Sequence, residues 1–65
     1  MCLAFPGKIK QIDNQIATVD FDGIEKKVNL TLVEAKIDEY VIVHAGFAIE
    51  ILEKTEAEEI LNKFQ

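Results

Sequence analysis

Asp22-Gly23 is the feature that most restricts this chain. A two-residue β-hairpin turn of type I′ needs positive φ at both central positions, and Asp-Gly is among the few pairs that adopt it readily. The turn lies between two alternating runs. Ile16 to Phe21 places Ala17, Val19 and Phe21 on one face, with Ile16, Thr18 and Asp20 on the other. Ile24 to Leu32 carries Val28, Leu30 and Leu32 at period two. Such alternation is the pattern of half-buried strands, so a hairpin is predicted over the middle of the chain.

The flanking segments extend the sheet. Lys8 to Asp13 reads as a first, weakly alternating strand, followed by a turn at Asn14-Gln15. Val33 to Glu39 is mixed and reads as a loop or a short helical turn. Tyr40 to Ala45 is apolar at successive positions, as expected of a strand covered on both faces. Gly46 interrupts it as a bulge or tight bend. Phe47 to Leu52 reads as a fifth strand, with Phe47, Ile49 and Ile51 on one side. The period then changes. Thr55-Glu56-Ala57-Glu58 has the form of a capping box, with Thr55 as the cap. Ala57, Ile60, Leu61 and Phe64 form one apolar helical stripe. Glu56, Glu58 and Glu59 near the start of this helix, and Lys63 near its end, complement its dipole.

Five short strands and one terminal helix predict a mainly β fold, a small five-stranded barrel. An oligonucleotide-binding (OB)-like barrel and an SH3-like barrel are the candidates, with the helix over an open end. The predicted division of the single domain, residues 1–65, is a projecting N-terminal tail over 1–7, a barrel over 8–52 and a helix over 55–64. Pro6 lacks a ladder donor and holds Phe5 extended, which suits a projecting tail.

Size and charge bound the function. A chain of 65 residues buries only about 60% of its unfolded surface, which favours binding and carrying over chemistry in a deep pocket. A hydrophobic fraction of 49% against 29% charged residues is that of a folded domain. The net charge of −5 repels phosphate backbones and argues against nucleic acid. One cysteine allows no internal disulfide, which points to a reducing, cytoplasmic setting. The first seven residues lack the basic and long apolar regions of a targeting segment. The apolar stretch from Tyr40 to Ile51 is broken by His44, Gly46 and Glu50 and is too short to span a membrane.

Two side chains stand out chemically. Removal of Met1 would leave Cys2 with its α-amine and thiolate close enough to chelate one metal, and a nearby ammonium favours the thiolate. Taken alone, Cys2 reads more simply as a small apolar residue in a frayed terminus. His44, set between Val43 and Ala45, reads more simply as a hydrogen-bonded core histidine than as a ligand. Together, thiolate and imidazole suit iron, yet one Cys and one His do not complete a four-ligand site. A carrier that gives its metal away should hold it with few ligands. Tyr40 and Phe47 read as core. The carboxylates are dispersed, and no phosphate loop, nucleophile elbow or zinc spacing occurs.

Met1-Cys2-Leu3-Ala4-Phe5-Pro6-Gly7 resembles the M-C-x-x-x-P-G opening of the HypC/HupF family of nickel–iron hydrogenase maturation chaperones. Thr18 to Gly23 and Val28 to Val33 resemble the family's V-D-x-x-G and V-x-L-x-L-V segments, and Tyr40 to Ala48 its Y-V-L-V-H-x-G-F-A segment. The resemblance covers nearly the whole chain. It implies an OB-like barrel with a C-terminal helix. It also implies a non-enzymatic role with HypD, an iron–sulfur scaffold protein, in building an iron that carries two cyanides and one carbon monoxide. That unit is then delivered to the hydrogenase large-subunit precursor. By position, Cys2 resembles the family's essential cysteine and His44 its histidine, so both are candidate iron ligands. Leu3, Phe5, Pro6 and Gly7 join Cys2 as the expected partner-binding segment. One departure is Asp38-Glu39, where members often have Gly-Asp; Asp tolerates a left-handed turn better than most residues.

Two other classes remain open at this level. An OB-like binding module for nucleic acid or protein would place aromatic and basic residues on one face. A thiol enzyme would need a base beside Cys2, for which only His44 is available.

Overall fold

A computed structural model describes residues 5–63. It contains β1 (Pro6–Asp13), β2 (Ile16–Phe21), β3 (Ile24–Asn29), β4 (Tyr40–His44), β5 (Phe47–Leu52) and α1 (Lys54–Lys63). The strands close into a barrel in the order β1-β2-β3-β5-β4. This is the mainly β, OB-like barrel with a C-terminal helix that the sequence predicts. Neighbours are antiparallel except β3 and β5, which run parallel and are paired at Asn29 and Phe47.

The turns follow their residues. Asp22 and Gly23 have φ of 54° and 97°, the left-handed pair a type I′ hairpin requires. Ala45 and Gly46 repeat the pattern at 54° and 85° and join β4 to β5. Asp38 has a φ of 75°, which explains why glycine suits this position. The loop around it is stitched to β1, with the Asp38 N–H donating to the Ile9 carbonyl at 2.8 Å and the Ile9 N–H to the Glu39 carbonyl at 2.9 Å.

Two bulges set which side chains face inward. Ile9 is opposite Val19, yet Gln11 is opposite Thr18, so Lys10 has no partner of its own. The extra residue lets both Ile9 and Ile12 turn inward although they are three apart. In β5 the partner of Ile42 is Glu50 and that of Val43 is Ala48, so Ile49 is the extra residue. Ala48 therefore faces the core and Leu52 the outer side. The expectation that Phe47, Ile49 and Ile51 lie on one side is corrected: Ile49 is the unpaired residue of the bulge, and the three are 39%, 48% and 36% exposed. Strict period two fails because the bulge resets the alternation.

The interior is filled by Ile9, Ala17, Val19, Val28, Leu30, Val41 and Ala48. A second cluster, Ile42, Leu52 and Ala57 with Tyr40 and Ile60, joins the helix to the barrel. Tyr40 and Ile42 alternate with the inward Val41 and Val43, so β4 is covered on both faces as predicted. The helix accordingly lies against the outer wall, packed on β4 and β5 through Ile42, Leu52 and Tyr40 and alongside β1, rather than over an open end. Its cap also differs from the expectation. Glu53 precedes the first turn, and the Glu56 carboxylate accepts from the Glu53 N–H at 3.2 Å, so the box is Glu53–Glu56 and not Thr55–Glu58. Phe64, the last residue of the predicted stripe, lies outside the described residues.

Strand β3 stops at Asn29 and not at Leu32. The Asn29 side-chain oxygen accepts from the Thr31 N–H at 2.8 Å and the Thr31 hydroxyl at 2.6 Å, turning the chain out of the sheet. Leu32 is then 63% exposed.

Candidate functional site

The N-terminal segment joins the barrel at Pro6, which pairs with Ile42, followed by Gly7 opposite Val41. A proline at the first position of a strand removes no hydrogen bond the ladder needs. Both residues are buried. The expectation that Pro6 and Gly7 belong to a projecting tail is therefore corrected: they are the start of β1. A Cβ on Gly7 would collide with Val19 Cγ1 and lie 2.6 Å from Phe21 Cε1. Gly7 thus lets the Phe21 ring lie across the inner face of β1.

Phe5, half-buried, stands between two grooves. One is lined by Phe21, Ile24, Val28 and Val43, with Lys26 and Lys27. The other is lined by Pro6, Lys8, Asp20, Asp22, Tyr40 and Leu61. The first groove is the barrel's own seam. By register Ile24, Lys26 and Val28 point inward beside Phe21, Val19 and Ala17. The pairing of β3 with β5 reaches only to Asn29, so among the described residues no strand covers the inner face of β3 before it, and Ile24 is 62% exposed despite its inward direction.

His44 ends β4, exposed, opposite Phe47 and beside the Ala45-Gly46 turn. The simpler expectation of a core histidine is corrected: alternation from the inward Val43 turns His44 to the outer side. Phe47 likewise lies at the surface and not in the core. Among the described residues no group of three or more His, Cys, Asp or Glu side chains is placed to hold a metal ion. Cys2 and Leu3 lie outside the described residues. Pro6 pairs with Ile42, two residues before His44, so the start of β1 and the strand end that carries His44 adjoin at one corner of the barrel.

The sequence reading missed Phe21, Ile24 and Lys26 as parts of this surface. The signal was there: Lys26 sits at an inward position between Ile24 and Val28, and a charged side chain there marks a wall that the barrel's other strands do not close over. Among the described residues no helix is long and apolar enough to cross a membrane.

Comparison with known proteins places these features in one context. A family model described as HupF/HypC family matches residues 1–64. The hydrogenase maturation factor HypC of Escherichia coli (strain K12) is 38% identical over 72 residues, covering 100% of this chain and 80% of its own length. The protein of the same name from Synechocystis sp. (strain ATCC 27184 / PCC 6803 / Kazusa) is 44% identical over 68 residues, covering 94% of this chain and 90% of its own. That of Cupriavidus necator is 39% identical over 66 residues, covering 98% and 73%. With a match along its length and the barrel, the Pro6-Gly7 strand start and the His44 corner in place, the chain belongs to the HupF/HypC family.

Proposed function

We propose that this protein is a hydrogenase maturation chaperone whose Cys2 thiolate serves as one ligand to an iron that a partner also grips. The partners are HypD, during assembly of the iron–cyanide–carbonyl unit, and then the large-subunit precursor that receives it. The iron is cargo. The chain has one cysteine and one histidine, Cys2 and His44, which leaves most of the coordination sphere to the partner and to the diatomic ligands. Such sharing suits transfer, because a site completed by two proteins can be handed over by exchanging one of them.

The observation that carries the reading is where the N-terminal segment is anchored. Pro6 and Gly7 are fixed in β1, and three residues of extended chain reach at most roughly 10 Å. The covalent link alone thus limits how far Cys2 can lie from Phe5. Leu3 and Phe5 supply apolar surface for docking, while Pro6 and Gly7 act from inside the wall by setting where the segment leaves it. The role is binding and delivery without catalysis, in the cytoplasm.

The test is a Cys2→Ala variant expressed beside a nickel–iron hydrogenase. Its barrel should fold, since residues 6–52 supply the strands and the barrel interior. It should fail to retain HypD or the precursor, and infrared cyanide and carbonyl bands should be missing from the purified material. Full hydrogenase activity with this variant would sink the proposal.

A further inference from the structure

We infer that the open edge of β3 is a docking site for an extended segment of a partner protein, one that alternates apolar and acidic side chains. The hairpin β2–β3 closes on the pair Phe21 and Ile24. In an antiparallel ladder, pairs that exchange hydrogen bonds alternate with pairs that do not. The pairs at Ile24, Lys26 and Val28 therefore bond to β2, while the backbone of Glu25, Lys27 and Asn29 points away from it. Asn29 bears this out, donating its N–H outward to the Gly46 carbonyl at 2.8 Å. Among the described residues Glu25 and Lys27 have no such strand beside them, because β5 is paired only at Asn29. Two N–H and two C=O groups are thus presented on one edge, two residues apart, in the spacing an added strand would match.

The side chains beside this edge specify the occupant. The inner side is the seam of Phe5, Phe21, Ile24 and Val43, which would receive apolar side chains from an added strand. Lys26 faces the same groove, and Lys27 turns to the outer side of β3, where its Nζ donates to Thr18 Oγ1 at 2.8 Å; both are cations on a chain of net charge −5. Lysine on an edge strand also serves to block unwanted pairing. A blocking lysine needs no apolar wall, whereas here the lysines border one. With its apolar side chains covering the seam, an alternating strand would carry its carboxylates on the outer side, beside Lys27. A second copy of this chain fits less well. An antiparallel β3–β3 pair centred on Lys26 would set the two Lys26 side chains opposite each other, and each copy carries the same negative charge.

The proposal does not use the Cys2 thiolate and can be tested apart from it. The probe is a capped heptapeptide alternating glutamate and valine, titrated into the isotope-labelled full chain and followed by amide shifts and hydrogen exchange. The expected result is saturable shifts centred on β3, with slowed exchange of the Glu25 and Lys27 amides. A Lys27→Pro variant removes an outward N–H while leaving the backbone bonds to β2 intact, although it also gives up the ammonium that donates to Thr18 Oγ1, and should weaken binding by about tenfold or more. Lys26→Glu, which leaves the backbone untouched, should do the same. A lysine–valine peptide should not bind, and Cys2→Ala should bind the acidic peptide as the parent does. The inference is overturned if no saturable shift occurs on β3, if shifts centre elsewhere, or if both β3 variants bind as tightly as the parent.

Discussion

Replacing Gly7 by alanine puts a single methyl group where the barrel has no room for it. The added Cβ would overlap Val19 Cγ1 and stand 2.6 and 2.9 Å from Phe21 Cε1 and Cζ. Phe21 is only half-buried and borders the open seam, so its ring can swing away. Val19 is 0% exposed, and a β-branched side chain has few rotamers to choose from. Its methyl has nowhere to go, and the strain falls on the backbone of β1 or β2. Overpacking of this kind costs about 1–3 kcal/mol, and the absence of slack at Val19 places this case near the upper figure. Alanine also restricts the unfolded chain, which returns about 0.4–1 kcal/mol. The net loss is about 2 kcal/mol, or a fall of roughly 8–16 °C in Tm for a domain of this size. A chain of this length has only about 3–10 kcal/mol in total, so the effect is large. Thermal and urea unfolding of Gly7→Ala measure it, and a Gly7→Ala/Val19→Ala double variant should recover part of the loss through coupling. A Tm within 2 °C of the parent would refute the close packing of β1 against Val19.

Asp38→Gly should stabilise the chain by up to about 1 kcal/mol, because glycine adopts the left-handed conformation at φ 75° without a Cβ clash. The ion pair it gives up, Lys8 to Asp38 at 3.9 Å, is exposed and worth little; urea unfolding reads the balance. Glu56→Ala should lower stability by about 0.5–1 kcal/mol and speed exchange of the first-turn amides, since it removes the carboxylate that accepts from Glu53. Thr55→Ala should change both far less, and the reverse order would restore the Thr55–Glu58 cap.

The parts of the fold legible in the sequence were those that local chemistry decides. Asp22-Gly23 fixed the central hairpin because few pairs take positive φ twice. The two-sided apolar run at Tyr40 to Val43 announced a strand covered on both faces, and the helix does cover its outer one. The boundary of β3 was not legible, because an Asn29 side chain that captures Thr31 ends a strand that alternation would continue. The helix cap was misplaced by two residues, since a glutamate at the cap carries no strong signal while Thr55 does. For the site, the family opening and the Val43-His44-Ala45-Gly46-Phe47 segment located the corner. The motif did not reveal that Pro6 and Gly7 are wall and not tail. Proline and glycine read as breakers in isolation, but here proline begins a strand and glycine admits a phenyl ring.

The two bulges explain the remaining misreading and can be tested directly. Strict alternation in β5 would put Phe47, Ile49 and Ile51 on one face and Ala48 on the other. The register instead leaves Ile49 unopposed and turns Ala48 inward to pair with Val43, with exposures of 48% for Ile49 and 0% for Ala48. Threonine distinguishes the two arrangements, because it keeps β propensity at either position. Ile49→Thr exposes a hydroxyl already at the surface and should change stability by no more than about 0.5 kcal/mol. Ala48→Thr inserts two heavy atoms and an unpartnered hydroxyl among Ile9, Val28 and Val41, and should cost about 2–4 kcal/mol from overpacking and desolvation together. Urea denaturation of the two variants supplies both numbers. If Ile49→Thr proved the more damaging, the bulge at Ile49 would be misplaced. The reason Leu52 reaches the helix would then fail with it, because only a reset of the alternation after Ala48 allows one strand to fill the barrel at one end and hold the helix at the other.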